Sequence, residues 1–153
     1  MQLNKQLKWQ LFVDGASRNN PGLSGAGIYL AKEHKKEVAL GFFLGIKTNN
    51  QAEYLALLIG VVIALPKIKS DHLQIKSDSL LLVNQLNGIY QVKNPELKLL
   101  HRKALNLLAP ISYEIVHVLR AENEVADKLA NLGIDHKIAL SPDIKKELNE
   151  VSI

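Results

Sequence analysis

Four acidic residues in this sequence have the settings that metal-assisted hydrolysis needs. Asp14 closes an apolar run, LFVD, and opens into GASRNNPGLSG, which is how a buried strand ends at a turn. Asp78 repeats the arrangement, because HLQIK alternates as a strand and runs straight into SDS. Glu53 falls in the first turns of an apolar helical segment and Asp127 near the start of another, EVADKLANLG. Taken singly, each acid is also satisfied as a solvated turn residue or as a surface charge that compensates a helix dipole. A carboxylate at the rim of a core, however, needs a cation, a set of donors or a metal beside it. Four carboxylates around one point repel strongly unless divalent cations neutralise them. An all-oxygen donor set suits Mg²⁺ or Mn²⁺ over zinc, and paired ions of this kind serve in-line displacement at phosphorus. The expected chemistry is phosphodiester hydrolysis.

The elements that must position these acids follow from periodicity. After the opening turn, Gly25 to Leu30 and Val38 to Leu44 are short β-branched and aromatic runs that complete an antiparallel meander of three strands. The period then changes in TNNQAEYLALLIGVVIALPK, where Ala52, Leu55, Ala56, Ile59, Val62 and Ile63 share a helical face. Thr48 or Asn49 is its expected cap and Pro66 its expected stop. His72 to Lys76 predicts a strand, SLLLVNQLNG a helix stopped by Gly88, and Asn94-Pro95 the start of a helix that runs to Pro110. Ile111 to Leu119 alternates as a further strand, with Ile111, Tyr113, Ile115 and His117 on one side, and RAEN links it to the helix of Asp127. In the tail from Ile134, Ser141-Pro142 begins a short docking helix packed through Ile144, Leu148 and Val151. The fold expected is α/β, a five-stranded mixed sheet with helices on its faces, meander first and parallel strands after. Polar residues at the ends of neighbouring central strands then meet in one crevice.

One domain is the expectation for 153 residues that are 47% hydrophobic, with a core over about 8–133 and a tail over 134–153. Zero cysteines exclude disulfides, thiolate metal sites and thiol nucleophiles, and fit a reducing interior. The apolar run Leu57 to Leu65 is too short to span a bilayer, and MQLNKQLK lacks the pattern of a secretory signal, so the expected location is the cytoplasm, without a membrane. A net charge of +4 makes long-range attraction to a polyanion available but mild.

In this order, FVDGASRNNPGLSGAG, TNNQAEYLAL, IKSDS and AENEVADKLAN closely resemble the type 1 ribonuclease H family, over Phe12 to about Gly133. The segment QLNGIYQVKNPEL is further similar to the compact subgroup of stand-alone enzymes found in archaea and many bacteria. The resemblance implies a ribonuclease H-like fold and an endonuclease that cuts the RNA strand of an RNA–DNA hybrid with two Mg²⁺ ions, leaving 5′-phosphate and 3′-hydroxyl ends. It implies Asp14, Glu53, Asp78 and Asp127 as the catalytic and metal-binding acids. Asp14 is expected to bridge both ions, Glu53 and Asp78 to hold one and orient water, and Asp127 to help hold the other. Asn20 and Asn50 resemble positions that contact the hybrid's backbone and minor groove, and Gly15, Arg18, Asn19, Asn49 and Ser79 complete the expected substrate-binding set. Short amides suit a 2′-hydroxyl, which both donates and accepts.

Some features depart from the family pattern. Many members carry a histidine in a flexible loop before the last acid, whereas the linker here is only Arg120 to Asn123. His117 reads as part of the strand, and Arg120 is the expected cation near the scissile phosphate. Leu80 stands where some relatives have a polar side chain, and a long basic, tryptophan-containing insertion is missing. Lys93, Lys98 and Arg102 compensate only in part, so hybrid binding is expected to be weaker than in such relatives and strongly salt-sensitive. The competing readings are a non-catalytic hybrid-binding module, a nuclease that also cuts double-stranded RNA, the ribonuclease part of a reverse transcriptase, and a metal-dependent phosphatase. The four acids argue against the first, and the lack of a phosphate-cradling glycine loop against the last. The protein is expected to act as a monomer.

Overall fold

The computed structural model describes residues 8–149 and 151; the ends of the expected 1–153 domain, residues 1–7, 150, 152 and 153, lie outside the described residues. Five strands form one sheet: β1 (Lys8–Ser17), β2 (Gly22–Lys32), β3 (Lys35–Lys47), β4 (His72–Ser77) and β5 (Tyr113–His117), in the order β3-β2-β1-β4-β5. The first three are antiparallel, and β4 and β5 run parallel to β1. The mixed sheet read from the sequence is the one observed.

The strands differ from expectation in length. β1 continues three residues past Asp14 to Ser17, because β2 pairs with it as far as Ser17 and Ser24, while β4 stops at Val13 and Ser77. Asp14 therefore sits at a fork in the sheet, not at a strand end. β2 and β3 extend beyond their apolar cores for the same reason, each supplying the other's ladder of hydrogen bonds. β5 is shorter than Ile111 to Leu119, and His117 ends it as an exposed residue.

Between β3 and β4 lies α1 (Asn49–Ile68), which begins with a capping box: Thr48 Oγ1 accepts from the Gln51 N–H at 3.1 Å, and Gln51 Oε1 accepts from the Thr48 N–H at 2.9 Å. Pro66 does not stop it. The helix runs two residues further, since a proline this late forfeits one backbone bond while Ile68 stays buried, and it ends at Lys69 with φ +51°. Instead of one apolar face, α1 is buried nearly all round, including Tyr54 to Val61 without a break, because it lies between the sheet and α3 (Pro95–Leu108). Its length and composition would suffice for a membrane span, yet most of that stretch is buried inside the protein as its core helix.

α2 (Leu80–Leu86) follows β4 directly and is capped by Ser79. The RAEN linker forms a 3₁₀ turn, Arg120–Asn123, that leads into α4 (Glu124–Asp135) on the opposite face of the sheet from α1. There the backbones touch: a Cβ on Gly27 would stand 1.8 Å from the Ala126 carbonyl oxygen, and one on Gly41 1.9 Å from that of Leu129. The tail docks through buried Leu140, Ile144, Leu148 and Val151, with α5 (Pro142–Glu147) between them. It also reaches the outer edge of the sheet, where the Phe43 N–H donates to the Ile138 carbonyl at 2.7 Å.

Candidate active site

Where β4 parts from β1, the next residue on each strand is an acid: Asp14 after Val13, and Asp78 after Ser77. Glu53 comes to the same gap from α1. Gly15 makes this possible, since a Cβ there would stand 2.2 Å from the Ala52 carbonyl carbon and 2.3 Å from the Glu53 nitrogen. With hydrogen in its place the helix lies directly on the strand, and the Gly15 N–H donates to Glu53 Oε1. One carboxylate oxygen each from Asp14, Glu53 and Asp78 lie within 4.8 Å of one another.

Three acids this close cannot all ionise unaided. Burial, followed by the charges of Glu53, Asp78 and Asp127, pushes the Asp14 carboxyl up to about 9. Burial pushes Glu53 up to about 8, against the opposing pull of the Gly15 N–H and the Arg120 guanidinium. Such a site binds protons when it has no cation, and a divalent cation would displace them. The oxygen-only donor set fits a hard divalent ion.

Asp14 and Asp78 line a cleft of about 550 Å³ together with Arg120, Asp127, Arg18, Asn49 and Asn131, and Glu53 stands behind them, against the Gly15 N–H. Asp127 is exposed and stands outside the group of three, but it acts on Asp14 through its charge and a hydrogen bond. A larger groove, about 650 Å³, lies at the far end of α2 against Ile89, Tyr90, Lys98 and Arg102; it has no acidic lining residue and so no comparable chemistry.

The expected substrate residues are dispersed around this cleft. Gly15 lines the cleft and has the positioning role just described. Asn20 Oδ1 accepts from the Asn49 N–H at 3.0 Å, which joins the first turn to the start of α1, with Asn50 exposed beside it. Arg18 spans to α4, with its guanidinium 2.6 Å from Asp135 and 3.2 Å from Asn131 Oδ1. Asn19 is exposed in the turn, where its carbonyl accepts from the Ser17 hydroxyl. Ser79 Oγ is engaged in capping α2, accepting from the Leu82 N–H at 3.2 Å. Asn19, Asn20, Asn50, Ser79 and His117 do not line the cleft. Sequence reasoning missed Asn131, although its place four residues after Asp127 puts it on the same helical face.

A family model described as reverse transcriptase-like matches residues 12–133, a span that contains all four acids. Ribonuclease HI of Pasteurella multocida is 30% identical over 152 residues, which cover 88% of this chain and 93% of that protein. The chain belongs to the type 1 ribonuclease H family. Ribonuclease HI of Halobacterium salinarum is 40% identical over 126 residues, 81% of this chain, and the chain spans only 63% of that relative's length. The crystal structure of the Halobacterium RNase H1 superposes with a TM-score of 0.80 at 36% identity, covering 84% of this chain and 98% of that one. LC11-RNase H1, solved in complex with an RNA/DNA hybrid, superposes with a TM-score of 0.78 at 29% identity, covering 86% and 98%. The ribonuclease H fold here thus includes the fork in the sheet at which Asp14 stands.

Proposed function

We propose that this chain is an endoribonuclease that hydrolyses the RNA strand of RNA–DNA hybrids and leaves 5′-phosphate and 3′-hydroxyl ends. The observation that carries the reading is the approach of Asp14, Glu53 and Asp78 to within 4.8 Å, beside a cleft that Asp14 and Asp78 line together with Asp127 and Arg120. The hybrid bound by LC11-RNase H1, a protein of the same fold, supports the choice of substrate. Asp14, Glu53 and Asp78 would hold two divalent ions, Mg²⁺ in the cell with Mn²⁺ as a substitute, and Asp127 at the mouth would complete the set. When bound, the ions supply the positive charge that polarises a phosphate and activates water. The chain's own groups do the rest. The Gly15 N–H fixes the orientation of the Glu53 carboxylate, and Arg120 offers its guanidinium to the phosphate that enters the cleft. Arg18 and Asn49 at the cleft, with Asn19, Asn20, Asn50 and Ser79 outside it, would meet the duplex, and short amides there suit 2′-hydroxyls. In this reading the protein is a single-domain monomer of the cytoplasm, and double-stranded RNA is the second substrate to consider, since both duplexes are A-like.

The test uses purified protein with end-labelled RNA–DNA hybrid, double-stranded RNA, single-stranded RNA and double-stranded DNA, in Mg²⁺ or EDTA, alongside Asp78→Asn. Cleavage confined to RNA in duplexes, abolished by EDTA and by the substitution, is the expected result. Folded protein that binds the hybrid in Mg²⁺ or Mn²⁺ without cutting it would make the chain a binding module instead.

A further inference from the structure

Among the described residues, four of the five α-helices are capped by the side chain that precedes them: Thr48, Ser79, Asn94 and Ser141 each accept a hydrogen bond from their own helix. The fifth, α4, is not. Asn123 stands at its cap position, a place where asparagine is among the preferred residues, yet its side chain makes no bond to the helix. Its amide turns the other way, and Nδ2 donates to the Val13 carbonyl at 3.0 Å. The residue is 1% exposed, and its Oδ1 has no hydrogen-bond partner among the described residues. An uncapped helix and a buried unpaired acceptor both weaken a fold, and one hydrogen bond returns little against them. Asn123 is a poor stabiliser in a closely packed place.

What its one bond does hold is the cleft. Val13 directly precedes Asp14 and is the last residue of β1 to pair with β4. Asn123 closes the turn that opens with Arg120, and it lies four residues before Asp127. The glycine contacts fix how closely α4 lies on β2 and β3, whereas this bond ties the turn itself to β1. Together with the packing of the Ala126 backbone on Gly27, the partner of Asp14 across the sheet, this contact therefore sets where Arg120 and Asp127 stand relative to Asp14. We propose that Asn123 is a positioning residue of the hydrolytic site, present for the placement of Arg120 and Asp127 and not for the stability of α4. The proposal rests on the ribonuclease reading given above.

Two substitutions separate position from stability. Asn123→Ser supplies an ordinary cap but cannot reach Val13, and Asn123→Leu fills the space with no polar atom. For each variant and the wild type, the melting temperature is measured in EDTA, and kcat and KM on an RNA–DNA hybrid in Mg²⁺. The serine variant should melt within about 3 °C of the wild type or above it, with kcat lowered about 10- to 100-fold and KM changed by less than about threefold. The leucine variant should show the same split. When Asn123→Ser is combined with Asp127→Asn, its further loss of kcat should be several-fold smaller than in the wild-type background, because only the part that acts through Arg120 remains. A kcat within about twofold of wild type in either folded variant would overturn the proposal. So would a fall in melting temperature of more than about 10 °C in both variants, which would make Asn123 a structural residue. A wild type that does not cleave would instead overturn the ribonuclease reading, and that result is read before any variant is compared.

Discussion

Helix α1 meets β1 backbone to backbone at Gly15, begins with a complete capping box, and delivers Glu53 already held by a main-chain N–H. Helix α4 begins without a side-chain cap, reaches β1 through the amide of Asn123, and delivers Asp127 exposed at the cleft wall. Both helices thus meet the sheet through main chain, and the difference lies nearer the acids: Glu53 is itself held by a main-chain N–H, whereas the turn that leads to Asp127 is tied to β1 by a side chain. Main-chain contacts leave little freedom, so the inner site is preorganised whether or not substrate is present. The outer acid is exposed at the cleft wall, where substrate would enter and product would leave.

The contrast is sharpest in its largest effect. Asp14→Asn should lower the cleavage rate on the order of a thousandfold or more, since Asp14 lies at the centre of the acid group. In EDTA at pH 8 the same variant should melt higher than the wild type, because it relieves a buried like-charge cluster. Gly15→Ala comes next. A methyl group 2.2 Å from the Ala52 backbone must push α1 off β1, and an unfolding titration in urea should show a loss of about 3 kcal/mol or more, with activity falling in step. An alanine variant as stable as wild type would remove the argument that backbone contact sets Glu53.

The pH dependence follows from the inner acids alone. Asp14 rises from 3.8 to about 9 and Glu53 from 4.5 to about 8, so the folded state holds protons that the unfolded state releases. Their contribution is fully present below about pH 4 and is lost as pH climbs towards 9. Metal-free protein should therefore melt lower by several degrees at pH 9 than at pH 6, and added Mn²⁺ should close the gap. A flat profile in EDTA would contradict it. The smallest effect belongs to the outer acid: Asp127→Asn should cost about tenfold in rate and leave the melting temperature within about 2 °C. If it cost as much as Asp14→Asn, the division into an inner and an outer site would fail.

The sequence made the inner acids legible because each sits where a periodic pattern breaks. Asp14 and Asp78 follow strand alternation, and Glu53 follows a cap, so their types and places could be read together. The extent of β1 beyond Asp14 was hidden, since it depends on the partner strand β2 and not on local pattern. The continuation of α1 through Pro66 was hidden likewise, because burial of Ile68 outweighs a local helix-breaking signal. Gly15 looked like a turn glycine or a substrate contact, and only the proximity of Ala52 reveals why hydrogen is required there. Asn123 looked like one letter of a linker. Its amide points to a strand 110 positions away in sequence, a separation at which no pattern carries information.

The contact between Phe43 and Ile138 has a consequence for solubility. β3 is a terminal strand, and its outer row of N–H and C=O groups would otherwise be open to a strand from another molecule. The tail occupies part of that row, with Lys137 laid over the Phe43 ring at 4.4 Å. A chain cut before Ile138 would keep every acid of the cleft and yet offer a bare sheet edge, so the segment guards the protein against aggregation by strand addition.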